Sequence, residues 1–233
     1  MQTIPFSHLA YMIFPLLLVA YFYFRWVGNK SEVVMATCRM SVQLIAIGYV
    51  LTSLFETQSL WLLSCLVAVM ITVASMIVKR NLHQARKYYF LAIFGAIALS
   101  GTLHLALVIF GVLSLENPFD ARYVIPLAGM IYANAMNAIS LCAERFEKER
   151  AHHAFIEARA IAFKASMIPQ INSFLAVGFV SLPGMMTGQI LSGIDPLIAV
   201  RYQIVVMAMI LCSGAMSNIL YLSYLRLFER YDA

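Results

Sequence analysis

The stretch Val177–Gln203, VGFVSLPGMMTGQILSGIDPLIAVRYQ, decides how the rest of the chain is read. Pro183, Gly184, Thr187, Gly188, Gln189, Gly193, Asp195 and Pro196 stand there between two strongly apolar runs. In hydrocarbon every backbone N–H and C=O needs an internal partner, so irregular backbone is tolerated only where protein buries it or where it lines a wet cavity. Interrupted apolar segments are the best pointer in a sequence to a translocation path. A Pro/Gly loop outside the bilayer would have the same composition, and both readings stand at this point. The expectation is a helix broken around residues 181–196, with Pro183, Gly184, Thr187, Gly188 and Gln189 on the substrate path.

Working outward, the chain has 233 residues, 62% of them hydrophobic and 12% charged, with a mean hydropathy of +0.83. That balance excludes an ordinary soluble domain. Apolar runs long enough to cross about 30 Å of hydrocarbon recur along it. They fall at about His8–Val27, Val33–Phe55, Leu60–Val78, Tyr88–Leu113, Tyr123–Leu141, Ile161–Val180 and Leu197–Leu225. The fold expected is all-α, a polytopic transmembrane bundle of about seven spans forming one domain over residues 1–233. The first run has no basic residue ahead of it and no small-residue cleavage site behind it, so it reads as a retained helix.

Charge sets the orientation. Arg25 and Lys30 follow the first span, and Lys79, Arg80, Arg86 and Lys87 share a loop without an acid. The alternate loops carry Glu56, then Glu116 and Asp120, then Asp195, while Arg226 and Arg230 close the chain. The positive-inside rule then gives an N-out, C-in topology in an inner (plasma) membrane. The formal net charge of +5 comes mostly from these anchors. With no aromatic-interleaved basic patch, the expected contact is membrane lipid and not nucleic acid.

Enzymatic chemistry is not visible. Cys38, Cys65, Cys142 and Cys212 have unrelated spacings and match neither a disulfide framework nor a zinc pattern. Of the five histidines only His104 sits inside a span, where a hydrogen-bonded core role is the simpler one. No Walker A motif occurs, so any ATP and magnesium would be held by another chain. No cofactor and no catalytic residue are expected here, and a metal-ligand set is not identifiable.

Polar residues inside the spans are the candidate path. Arg39 lies about 9 Å into the second span by the helical rise, with Gln43 one turn further on the same face. An intramembrane charge is by default a functional hypothesis, yet Arg39 is close enough to the span end to snorkel. Asn134 and Asn137 share a face of the fifth span, beside the small pair Gly129 and Ala133. They either hydrogen-bond across helices or line a path at a subunit interface. Gly184 and Gly188 offer a second close-approach face. The fourteen methionines read mainly as packing.

These segments carry a resemblance. SLPGMMTGQILSG (Ser181–Gly193), IPLAGMIYANAMNAISL (Ile125–Leu141) and IPQINSFLAVGFVSLPGMM (Ile168–Met186) resemble the FetB (YbbM) family of ABC-transporter permeases, with a weaker match at CRMSVQLIAIGYVL (Cys38–Leu51). The family includes bacterial iron-export permeases and plant aluminium-tolerance permeases. The resemblance implies a permease subunit driven by a separate ABC-type ATPase and exporting a metal ion, iron foremost; a half-size bundle with close-packing faces suits a homodimer. An arginine and a glutamine also stand in that family at the places of Arg39 and Gln43. Two other functions stay open: transport of a polar or anionic solute such as a sugar nucleotide, steered by Arg39 and Arg201, and an uncoupled, permease-derived regulator or passive conduit.

One segment departs from the family pattern. Ala143–Ile168, expected in the cytoplasm between the fifth and sixth spans, is shorter than its counterparts and has neither glycine nor proline from 130 to 168. The pairs Glu144/Lys148 and Arg145/Glu149 predict a helix running on into water, with the chain reversing at His152 and His153. Phe155, Ile156 and Glu157 are the expected coupling contacts with the ATPase.

Overall fold

The structure, a computed structural model, describes residues 5–29, 31–57, 59–80, 82 and 87–231. Lys30, His83 and Arg86 lie outside the described residues, and the side chains of Glu56, Lys87 and Arg230 are likewise not described. The described residues form helices and turns, with one isolated bridge between Val177 and Ser181 and no strand. Among the described residues, six helices are long and apolar enough to cross a membrane. A seventh, over 155–176, carries Glu157, Arg159 and Lys164 in its first half, which explains its weaker apolar signature. The expected all-helical fold with about seven spans is therefore the one observed.

The chain divides into two compact units, 1–57 and 58–233. In the first, α1 (Phe6–Leu9) passes through a 3-10 turn into α2 (Ile13–Val27), and α3 (Glu32–Thr57) follows. Gly28 ends α2 at φ 82, a left-handed angle that suits glycine at this position. The Tyr23 hydroxyl donates to Glu32 Oε2 at 2.7 Å, tying α2 to α3.

The second unit holds α4 (Leu60–Arg80), α5 (Lys87–Ala106) with a π-helical continuation over Leu107–Leu113, α6 (Ala121–Arg150), α7 (Phe155–Ala176), α8 (Gly184–Leu191) and α9 (Pro196–Tyr231). Asp120 caps α6, its Oδ1 accepting from the Arg122 N–H at 2.9 Å. Asp195 caps α9 in the same way through the Leu197 N–H at 2.8 Å, with Pro196 at the first helical position. α6 packs against α4, α5, α7 and α9, and α9 packs against α5, α6, α7 and α8. Their shared core includes Ile93, Ile97, Ile131, Ile139, Tyr221 and Leu225, all buried.

The interruption after α7 is closed in part by its own backbone hydrogen bonds. The Val180 and Ser181 N–H groups donate to the Ala176 carbonyl, and the Gly178 N–H donates to Ser181 O. Beyond α8, the Gly193 N–H reaches Ile190 O and the Ile194 N–H reaches Gln189 O, a Schellman closure around Gly193 at φ 89. These bonds meet part of the hydrogen-bonding demand of hydrocarbon from within. Its details differ from the sequence expectation. Pro183–Gln189 is not itself the break, because Pro183 is the N-cap of α8 and Gly184–Leu191 is helical. The left-handed glycines are Gly178 and Gly193, outside that stretch, and Gly184 and Gly188 need no special backbone angle.

Candidate functional site

α6, α7 and α9 enclose a half-open cavity of about 260 Å³. Asn134 and Asn137 border it from α6, Ser166, Gln170 and Ser173 from α7, and Met207 and Ile210 from α9. Asn134 lies about 17 Å along the helix from Tyr123, near the middle of a hydrocarbon layer about 30 Å thick. Every side chain lining the cavity is neutral. The two asparagines named from the sequence thus come together, and three polar residues of α7 join them.

The hydrogen bonds around it are specific. Asn134 Nδ2 donates to Met130 O at 2.8 Å within its own helix, so this asparagine does not bridge helices. Bridging is instead done by Asn218 of α9, fully buried, whose Nδ2 donates to Ser166 Oγ at 2.9 Å. Ser166 in turn donates to Phe163 O at 2.8 Å. Ser100 of α5 makes a second bridge, to Ser213 O at 2.9 Å. Gln170 packs over Gly214, where no side chain stands in its way. Among the described residues, Gln170 Oε1 and Asn218 Oδ1 are buried acceptors without a hydrogen bond. Pro169, also on the cavity wall, has no N–H to give the Ala165 carbonyl one turn back.

Phe174 and Met207 separate this cavity from a second, of about 320 Å³, which they also line. Here the walls are the 177–183 turn, α8 and α9, and the surface is apolar apart from Gln203. Pro183 borders it, and Gln203 Oε1 is a further buried acceptor without a partner. A third cavity of about 390 Å³ contains Met185, Met130 and Tyr202. α8 therefore stands between two largely apolar spaces, with Met186 on the wall of one and Met185, near Arg122, on the wall of the other.

The remaining expected path residues are more dispersed. Gly184 and Gly188 have open space where a side chain would begin. Thr187 Oγ1 donates to Pro183 O at 3.2 Å, inside α8. Gln189 Oε1 is buried without a hydrogen bond. Arg39 and Gln43 are exposed on α3, in the other unit, and the cavity is lined without them. Gly129 meets the Met70 side chain of α4, while Ala133 is exposed. Asp195 serves as a helix cap through Oδ1.

Sequence reading missed Ser166, Gln170 and Ser173, yet a signal existed. They stand at i, i+4 and i+7 in an apolar segment, the spacing of one helical face. Asn218 had no such companion pattern. No group of three or more His, Cys, Asp or Glu that could hold a metal occurs among the described residues.

At the reversal, α6 runs to Arg150 and α7 begins at Phe155, leaving four residues between them. The Phe155 ring packs edge-on against Phe146 with centroids 5.2 Å apart, and Arg150 lies over its face at 5.8 Å. Ile156 is 60% exposed. His153 faces Glu149 through Nε2 at 3.3 Å and Glu157 through Nδ1 at 3.2 Å, spanning the turn.

Apolar helices that satisfy their own backbone, with a polar pocket at mid-depth, define a multi-pass helical membrane protein, an architecture that fits the inner (plasma) membrane. The chain belongs to the uncharacterised protein family UPF0014, whose model matches residues 6–228. It is 35% identical over 221 residues to the "Probable iron export permease protein FetB" of Escherichia coli, covering 86% of this chain and 83% of that one. It is 32% identical over 213 residues to the "UPF0014 membrane protein slr1647" of Synechocystis, covering 84% and 82%. Protein ALUMINUM SENSITIVE 3 of Arabidopsis thaliana is 27% identical over 226 residues, covering 90% and 81%. No solved structure matches.

Proposed function

We propose that this chain is the membrane-spanning permease subunit of an ABC transporter, moving a metal cation through the α6/α7/α9 cavity. The observation that carries it is the cluster of Asn134, Asn137, Ser166, Gln170 and Ser173 around one space at mid-membrane depth. Polar groups at that depth are costly and mark substrate pathways. The cation, iron foremost, is supported by the FetB relative's name. ATP and Mg²⁺ belong to a separate ATPase subunit, since this chain has no Walker A motif.

The working unit in this reading is a homodimer. Asn137 and Ser173, both on the cavity wall, are exposed, and hydrocarbon is a poor solvent for amides and hydroxyls. A second copy closing over that side would complete the path and form a two-fold interface. In this reading, which the loop charges favour, the α6–α7 turn lies in the cytoplasm, with Ile156 and Glu157 meeting the ATPase. Phe155 supports them from beneath, since it already packs on Phe146.

Co-expression with an ABC-type ATPase, purification and reconstitution into liposomes tests this. ATP-dependent movement of Fe²⁺, lost in Asn134→Leu and Gln170→Leu, is the expected result. A well-folded protein that captures no ATPase and moves no cation would replace this reading with the uncoupled one. That alternative has one observation in its favour: the α6–α7 turn is short and largely occupied with its own contacts.

A further inference from the structure

His153 stands in the α6–α7 turn with a carboxylate at each ring nitrogen. Nε2 is 3.3 Å from Glu149 Oε2, on the last turn of α6, and Nδ1 is 3.2 Å from Glu157 Oε2, on the first turn of α7. A neutral imidazole has one N–H and one lone pair, so it suits one carboxylate and repels the other. Imidazolium has two N–H groups and a positive charge, and suits both. The other charges around the turn have partners of their own. Arg145 holds Glu149 Oε1 at 2.7 Å within α6, and Lys148 holds Glu144 at 2.7 Å. Arg150 gives an N–H to the His153 carbonyl at 3.2 Å and pairs with Glu229 of α9 at 3.4 Å. Glu157 has His153 as its ion-pair partner.

We propose that His153 is a proton-operated clasp, which ties Glu157 to the end of α6 when charged and releases it to a cationic side chain of the ATPase when neutral. The proposal rests on the permease reading and adds the regulation of its coupling contact. Exposure decides which carboxylate leaves. The Glu149 side chain is 14% exposed and depends on its partners, whereas that of Glu157 is 62% exposed and water can take the place of the ring. The single N–H of the neutral ring therefore stays on Nε2, towards Glu149. Glu157 is next to exposed Ile156, so the freed carboxylate joins an apolar side chain on one docking surface. A carboxylate pairs best with a guanidinium or ammonium group, which is the chemistry this surface asks of its partner. Acid on the cytoplasmic side then weakens docking, while the Phe146–Phe155 contact keeps the hairpin closed.

Carboxyl footprinting of the full chain in lipid nanodiscs tests the clasp without an ATPase. A water-soluble carbodiimide with an amine labels accessible carboxylates, and Glu116, exposed in the bend before α6, is the internal reference. From about pH 5 to about pH 8, the range over which histidine changes charge, labelling of Glu157 relative to Glu116 should rise severalfold. His153→Gln should give a high ratio at both ends, with the melting temperature retained. Glu149→Gln should give a low ratio at both ends, because its amide donates to the bare Nε2 and leaves the Nδ1 N–H to Glu157. A wild-type ratio indifferent to pH, or one that rises as much in His153→Gln, would overturn the proposal. With the co-expressed ABC-type ATPase, wild-type capture should weaken severalfold at the acid end and His153→Gln capture should not. Equal loss in both would overturn it as well. Expected footprints with no ATPase captured at either pH would overturn the permease reading, and the docking role of Glu157 with it, while the clasp stands.

Discussion

Gly214 and Gln170 share one contact between α9 and α7, and substituting the glycine probes the cavity directly. A methyl group at Gly214 would run into the Gln170 amide, the far end of a flexible side chain. Alanine there gains up to about 1 kcal/mol of helix propensity and displaces Gln170 towards the cavity. Gly214→Ala should therefore leave stability nearly unchanged while reducing transport severalfold, as thermal unfolding and liposome flux would show. Gly101→Ala is the contrasting case. Its methyl group would meet the ring of Tyr132, which is buried and cannot swing away. Overpacking of that kind costs about 1–3 kcal/mol, so this variant should lose stability, visible as a lower unfolding temperature in detergent. At Asn218 the quantity at stake is one interhelical hydrogen bond. Such bonds in membranes average about 0.6 kcal/mol with a maximum near 1.7. Asn218→Ala should fall in that range, and a double-mutant cycle with Ser166→Ala should recover the coupling.

Among the elements, the α6–α7 hairpin and α8 carry the functional argument. Phe155 contributes to the hairpin through its edge-on contact with Phe146, worth about 0.5–1.5 kcal/mol beyond area burial. Ile156 is exposed and holds nothing in place. Phe155→Ala should thus lower stability, whereas Ile156→Asp should leave the melting temperature alone and release the ATPase in a detergent pull-down. Sequence patterning had treated the two residues alike, because both are apolar and adjacent. Only the packing of α6 against α7 separates them. The same limit applies to the 177–203 stretch. Its prolines and glycines announced an interruption, and the interruption is there, but they did not reveal that Gly184–Leu191 coils into a helix of its own. Gly178 and Gly193 carry the left-handed angles, and nothing local distinguished them from Gly184 and Gly188. Asp195–Pro196 was legible as a helix start from capping chemistry alone.

For the whole molecule, hydropathy and length made the helical, multi-pass character legible, because a spanning segment needs about 20 apolar residues regardless of its neighbours. The cavity was legible only by half. Asn134 and Asn137 stood out, while Ser166, Gln170, Ser173 and Asn218 became a site only once three helices met. If a second copy covers the exposed side of that site, Asn137→Cys should link to its counterpart through a short thiol-to-thiol cross-linker. An outward-facing position such as Leu91→Cys should not. The central claim is that the α6/α7/α9 cavity is a water-lined path through the membrane. After replacement of the four native cysteines, Asn137→Cys and Ser173→Cys are treated with a membrane-impermeant thiol reagent, with exposed, apolar Leu175→Cys as the lipid-facing comparison. The account predicts rapid labelling at 137 and 173, none at 175, and loss of transport on labelling. Labelling at 137 and 173 no faster than at 175 would contradict it.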